Sequence, residues 1–195
     1  MRAIALALGA SLVAVACGGA AQPSSPTTAA TTAPTPTVAP TAAATAAPTP
    51  ATKVTFTADL KSENEVPPVA NDEKSASGKA TVVFDLTRDS AGKITAAKAS
   101  IDVTFAGLLP TTQIILGHIH GPAPAGQNAS PVVGFKTDSA NPLPVTAGAA
   151  TFKMADVTVE ADRAQQIIDG PANFYVNFHS RLNAGGIVRG QLVRG

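Results

Sequence analysis

Hydrophobic and polar residues alternate over most of the chain beyond residue 53. In Val54-Thr55-Phe56-Thr57-Ala58, every second side chain is apolar. Successive side chains of a β-strand point to opposite faces, so this alternation predicts strands with one buried face. Eight such segments occur, at residues 54–58, 78–86, 94–105, 114–120, 132–136, 150–154, 174–179 and 187–193. We therefore expect an all-β domain, a Greek-key-like sandwich or barrel of about eight antiparallel strands.

One segment breaks this pattern and predicts a short helix over residues 161–169. Ala161, Ala164 and the pair Ile167-Ile168 recur at the spacing of one helix face. Gly170-Pro171 follows directly and cannot continue a helix. The predicted fold thus contains one short helix before its penultimate strand.

The front of the chain has a different pattern, which indicates export. Arg2 is followed by an apolar run that ends in small residues at position 16. This run is shorter than the roughly 20 residues of a membrane-spanning helix, so residues 1–16 read as a signal peptide. Cys17 follows Ala14-Val15-Ala16 and resembles the lipidated cysteine of a bacterial lipoprotein signal, the lipobox. We expect an exported protein held at the extracytoplasmic face of a membrane by a lipid on Cys17.

Residues 17–52 are predicted to be a disordered stalk that begins at the lipidated cysteine. From residue 20 onward the segment consists almost entirely of Ala, Thr and Pro, and no charged residue lies between Cys17 and Lys53. Such a composition cannot bury a core, and its prolines favour an extended chain on the order of 100 Å long. Residues 53–195 then form one β domain of ordinary size.

The charge balance argues against a nucleic acid as partner. The chain carries 14 basic and 13 acidic residues, and removal of Arg2 with the signal peptide leaves 13 of each. A nearly neutral chain lacks the basic surface that binds phosphate backbones. The partners that we expect are the membrane, through Cys17, and an unknown protein or surface ligand.

The chain contains three histidines, and all of them lie in two of the predicted strands. His118 and His120 are two residues apart, so they share one strand face, together with Ile114 and Leu116. His179 lies on a later strand and shares a face with Tyr175 and Asn177. The opposite face of that strand is apolar, carrying Phe174, Val176 and Phe178.

Two interpretations of the histidines remain open at this point. If folding brings His118, His120 and His179 together, they form a mononuclear copper or zinc site, since neutral imidazole suits both metals. Otherwise, His118 and His120 bond backbone carbonyls near the Gly121-Pro122 turn, and His179 pairs with Asn177 or a nearby acid.

Glu65 and Arg189 present a similar choice between structure and binding. A carboxylate and a guanidinium can form an ion pair that closes the barrel, or both can clamp a ligand. For catalysis the chain offers little, because Ser180 lies in no Gly-x-Ser-x-Gly turn. We therefore name no catalytic residue and favour a protein that is not an enzyme.

Three blocks of sequence resemble the CHRD domain, named after chordin and found also in exported bacterial proteins. The blocks are Ser62-Glu63-Asn64-Glu65-Val66-Pro67-Pro68-Val69, His118-Ile119-His120-Gly121-Pro122-Ala123, and Phe174-Tyr175-Val176-Asn177-Phe178-His179-Ser180 with Gly185-Gly186-Ile187-Val188-Arg189-Gly190-Gln191-Leu192. The resemblance implies an extracytoplasmic β domain. In chordin this domain is linked to the binding of growth-factor ligands, which are not expected for a bacterial lipoprotein.

The sequence as a whole favours a tethered, non-enzymatic binding module for a protein or surface ligand. The alternative is a copper or zinc protein that uses His118, His120 and His179 and gains redox activity from copper. Glu65, Asn177 and Arg189 are the further candidate residues, with a structural or a ligand-binding role.

Overall fold

A computed structural model of the chain describes residues 52–137 and 140–195. The predictions for residues 1–16, for Cys17 and for the stalk up to residue 51 lie outside these described residues. The described part contains nine strands and one α-helix, α1 (Ala161–Asp169), with the predicted helix bounds. The strands are β1 (Lys53–Lys61), β2 (Ser77–Arg88), β3 (Ile94–Ala106), β4 (Ile114–His120), β5 (Pro131–Lys136), β6 (Ala150–Val159), β7 (Tyr175–Ser180), β8 (Val188–Gln191) and β9 (Val193–Arg194).

The strands form a single antiparallel sheet that closes almost completely on itself. Its order is β5-β4-β7-β8-β1-β2-β3-β6, and the two-residue strand β9 pairs with β1. The edge strands β5 and β6 approach each other, so the sheet is nearly a barrel. The predicted all-β fold with one short helix is confirmed. No helix of the described residues is long and apolar enough to span a membrane.

The core lies inside the curved sheet and follows from the alternation in the sequence. Along β1, Val54, Phe56, Ala58 and Leu60 are buried, whereas the residues between them are exposed. Burial of one such large side chain contributes about 1.5–3 kcal/mol. The apolar residues of α1 join the same core, because Ala164, Ile167 and Ile168 are buried against it.

The last predicted strand is interrupted in the structure. Residues 187–193 were expected to form one strand, but β8 ends at Gln191 and β9 begins at Val193. Leu192 lies between them, buried at 1% exposure in the core, and its backbone nitrogen donates to Phe174 O. Leu192 therefore interrupts the strand. Before it, β8 pairs with β7 and with the end of β1, and after it β9 pairs with the middle of β1.

Strands β7 and β8 are covered on both of their faces. Every residue of β7 is buried, although only Val176 and Phe178 belong to the apolar core. The opposite face is polar, and the loop over residues 121–130 lies on it, with Asn128 reaching across to the Val66 carbonyl. The fold thus creates a covered polar layer outside the barrel core.

Candidate metal centre

The pairing of β4 with β7 brings the three histidines together. Leu116 lies opposite His179, and His118 lies opposite Asn177, so His118 and His179 are diagonal neighbours on one face. His118 Nδ1 and His179 Nε2 are 3.1 Å apart. His120 completes the group, and one ring nitrogen from each of the three side chains lies within 4.8 Å of the other two.

One expected neighbour of the histidines lies on the other face. Ile114 was predicted to share the face of His118 and His120, but a bulge between Ile114 and Leu116 shifts the register. An extra residue in one strand reverses the faces on either side of it. Ile114 is therefore fully buried in the core beside Ile119, while Leu116 stays with the histidines and is 41% exposed.

Backbone carbonyls orient two of the three imidazoles. His120 Nδ1 lies 2.8 Å from Ala129 O, and His179 Nδ1 lies 2.8 Å from Ala184 O. A carbonyl oxygen can only accept, so each Nδ1 carries the proton and each Nε2 carries a lone pair. Such second-shell bonds orient the histidines of metal sites.

The free nitrogen of His120 is the most informative atom of the group. His120 Nε2 is buried and has no hydrogen-bond partner among the described residues. A buried polar atom without a partner costs free energy, so its retention needs a reason. A metal ion bound by this lone pair would provide that reason.

The electrostatics keep all three rings in the neutral form that binds metals. Burial, followed by the charges of His179 and His120, lowers the pKa of His118 to about 4. Burial also lowers the pKa of His120 and of His179. Proton competition for the ligand nitrogens is therefore weak at neutral pH.

The spacing of the three nitrogens suits a small metal ion. Metal–nitrogen bonds near 2.0–2.1 Å in tetrahedral geometry place the ligand atoms about 3.3 Å from one another. The observed separations reach no more than 4.8 Å, so the ligand atoms would have to approach one another by little to bind an ion. His118 is half-buried whereas His120 and His179 are buried, so an exchangeable position can face solvent beside His118.

The ion pair between Glu65 and Arg189, one of the two alternatives for these residues, does not form in the described part of the chain. None of the ion pairs among the described residues joins these two side chains. Arg189 instead donates to the 121–130 loop, at Gln127 O (2.7 Å) and Asn128 Oδ1 (3.2 Å). The guanidinium thus holds the loop that covers the site.

Tyr175 connects Arg189 to the histidines, and the sequence analysis did not identify it as part of the site. The Arg189 guanidinium carbon lies 3.4 Å from the centre of the Tyr175 ring. On its other side, Tyr175 stacks on His120, with ring centres 4.9 Å apart and planes 6° from parallel. The Tyr175 hydroxyl accepts from the backbone nitrogen of Ala129, whose carbonyl orients His120. The only signal in the sequence was its place two residues before Asn177, on the strand face that also carries His179.

A second network, also missed, fixes the loop that orients His179. Glu73 is 2% exposed and accepts hydrogen bonds from Ser180 and from Asn183 Nδ2, the latter at 2.6 Å. Ser180 Oγ in turn accepts from the backbone nitrogen of Asn183. This arrangement holds the turn that presents the Ala184 carbonyl to His179.

Glu65 lies beside Asn177, the β7 residue that pairs with His118 of β4. Asn177 Nδ2 donates to Glu65 Oε1 over 2.7 Å, and both residues are buried. Gly186, with φ of +144°, passes so close that a Cβ there would lie 2.5 Å from both carboxylate oxygens. Only glycine combines this backbone conformation with this contact.

We expect Gly186→Ala to destabilise the domain by at least about 1–3 kcal/mol, the cost of the backbone conformation alone. The new methyl group would also push apart Glu65 and Asn177, since it would lie 2.3 Å from Asn177 Nδ2. Urea denaturation of the variant measures the loss. Gly185→Ala is the matched control, because a Cβ at Gly185 meets nothing within 4 Å. Equal stability of the two variants would contradict the prediction.

We expect the buried carboxyl of Glu65 to make the stability of the domain depend on pH. Burial raises its pKa from 4.5 to about 7, although Arg189 and the bond from Asn177 act in the opposite direction. A raised pKa favours the protonated folded state, so this stabilisation is complete below pH 4.5 and disappears as the pH rises through 7. Wild type should therefore lose up to about 3 kcal/mol relative to Glu65→Gln over that window, at about 1.4 kcal/mol per pKa unit.

Denaturation of both proteins at pH 5 and pH 8 tests this expectation. The histidines titrate in both proteins, so their contribution cancels in the difference between the two free energies of unfolding. The glutamine amide oxygen can still accept the bond from Asn177, which makes the variant nearly isosteric. A difference that does not change with pH would contradict the raised pKa.

Comparison with known proteins gives one match. The model of the CHRD domain family matches residues 56–192, which include all three histidines and Glu65, Asn177 and Arg189. No curated protein and no solved structure matches the chain.

Proposed function

Since the chain belongs to the CHRD domain family, we propose that it is an exported, lipid-anchored protein whose β domain binds one copper or zinc ion. The ligands are His118, His120 and His179. The observation that supports this most strongly is His120 Nε2, buried without a partner in a group of neutral imidazoles. Copper at this centre would add redox activity.

This proposal places metal binding ahead of the protein or surface ligand favoured by the sequence alone. A structural role would leave the histidines bonded only to carbonyls and acids. Instead, His120 bonds a carbonyl through Nδ1 and leaves Nε2 without a partner, and His179 turns its Nε2 toward His118 Nδ1, 3.1 Å away. No contact among the described residues favours a particular protein ligand.

Calorimetric titration of Cu(II) and Zn(II) into the chain tests the metal site. A Cys17→Ser background is needed, because Cys17 carries the only thiol of the chain and thiolates bind both metals. We expect a stoichiometry of one ion per chain with at least one of the two metals. Weak binding without a defined stoichiometry would refute the proposal.

The anchor rests on residues outside the described part of the chain and needs its own test. We expect Cys17→Ser to move the protein from the membrane fraction to the soluble exported fraction, because no thiol remains to carry the lipid. Ser25→Ala, in the same segment, should stay with the membrane. Wild-type protein in the soluble fraction would contradict the anchor.

A further inference from the structure

We propose that the three-histidine centre prefers monovalent copper to divalent zinc, and that the buried cation Arg189 sets this preference. The inference rests on the proposed function, because it concerns the ion that the same site takes.

Arg189 carries a buried charge that forms no ion pair among the described residues, although the carboxyl of Glu65 is near enough to act on it when ionised. It is 1% exposed, and its hydrogen bonds go to neutral oxygens. These acceptors are Gln127 O, Pro124 O, Asn128 Oδ1 and Gln191 Oε1. Buried charges are usually paired, so an unpaired guanidinium beside a candidate metal site is unusual.

The stack of side chains places this charge near the ion. Arg189 lies on one face of Tyr175 and His120 on the other, with separations of 3.4 Å and 4.9 Å from the Tyr175 ring centre. The field of Arg189 also contributes to lowering the pKa of His120, after burial and the charge of His179. The guanidinium therefore acts on charge at His120.

The ligand side chains carry no negative charge that would offset the field of Arg189. The three imidazoles are neutral, and no carboxylate belongs to the group of ligand atoms formed by the described residues. With the guanidinium on the order of 10 Å away at an effective dielectric constant near 20, each positive charge on the ion weakens binding roughly tenfold. A divalent ion is thus weakened roughly a hundredfold and a monovalent ion roughly tenfold.

Two substitutions at position 189 separate the charge of the guanidinium from its hydrogen bonds to the 121–130 loop. The full chain in the Cys17→Ser background is compared with its Arg189→Gln and Arg189→Lys variants. Affinities for Cu(I), under anaerobic reduction, and for Zn(II) are measured by competition with chromogenic chelators at pH 6. At that pH the raised pKa of Glu65 keeps its carboxyl mainly protonated.

We expect wild type to bind Cu(I) more tightly than Zn(II). Arg189→Gln should reduce that preference by about tenfold, since it removes one unit of charge. Arg189→Lys also loses the planar fork but keeps the charge, so its preference should stay near that of wild type. An equal change in both variants would assign Arg189 a purely structural role and overturn the inference.

A second variant avoids removing the guanidinium. Gln191→Glu places a carboxylate at the atom that now accepts from Arg189 over 3.3 Å, so it neutralises the charge in place. It should shift the preference in the same direction as Arg189→Gln. If Gln191→Glu leaves the ratio of the Cu(I) and Zn(II) affinities unchanged, the inference is overturned but the metal site stands. If wild type binds neither ion, the proposed function itself is refuted.

Discussion

Replacing both His118 and His120 with alanine is expected to abolish stoichiometric binding of Cu(II) and Zn(II). The double variant leaves His179 as the only ligand of the group, and one imidazole cannot hold either ion tightly. Loss of second-shell partners alone costs about 10–100-fold in metal affinity, so loss of two ligands should cost at least about a hundredfold. Calorimetry in the Cys17→Ser background measures the change.

The histidine variant needs a control that leaves the site untouched. Thr104→Ala changes an exposed residue of β3 and should bind as wild type does. Circular dichroism establishes that the double variant keeps its β structure. Equal binding by the double variant and wild type would show that the bound ions occupy another part of the chain.

Replacing Phe178 with alanine should destabilise the domain by about 3–5 kcal/mol, the usual cost of truncating a buried phenylalanine. Phe178 is fully buried and packs edge-on against Phe105 and Phe152, with ring centres 5.1 Å and 5.5 Å away. Gly117 lies directly against the same ring, since a Cβ there would be 2.4 Å from it. Gly117 has no side chain that could fill the cavity left by the ring.

Urea denaturation measures this loss as the difference in the free energy of unfolding. Phe178→Leu keeps most of the volume and should cost clearly less than the alanine variant. The alanine variant should also weaken metal binding, because Phe178 lies between Asn177 and His179 on β7. A loss below about 1 kcal/mol would contradict the role assigned to this ring in the core.

Local sequence patterns were sufficient for most of the fold. Helix α1 and strand β4 have the predicted bounds, because Gly170-Pro171 and Gly121-Pro122 mark their ends. Alternation also assigned Val176 and Phe178 to the core and Tyr175 and Asn177 to the other face of β7. Such patterns work because the side-chain period of a strand is a property of the local backbone.

The candidate site could be predicted only in part. The three histidines stand out by residue type, and their faces followed from the strand period. The bulge that moved Ile114 to the core has no sequence mark of its own, and neither does the Ala129 carbonyl that orients His120. Backbone carbonyls occur at every residue, so composition cannot single out the one that will face an imidazole.

The amino-acid pattern was enough to identify the elements and the residues capable of chemistry: an all-β domain with one helix, three histidines, and the Glu65, Asn177 and Arg189 side chains. Which of these side chains meet depends on long-range packing. The register of β4 against β7 placed His179 Nε2 3.1 Å from His118 Nδ1. The 121–130 loop accepts hydrogen bonds from Arg189, whose guanidinium lies over the Tyr175 ring. The spacing of apolar residues and their secondary-structure propensity are properties of residues that are close in sequence. Strand register and loop docking depend on contacts between residues about 60 positions apart, such as His118 with His179 and Arg189 with Asn128.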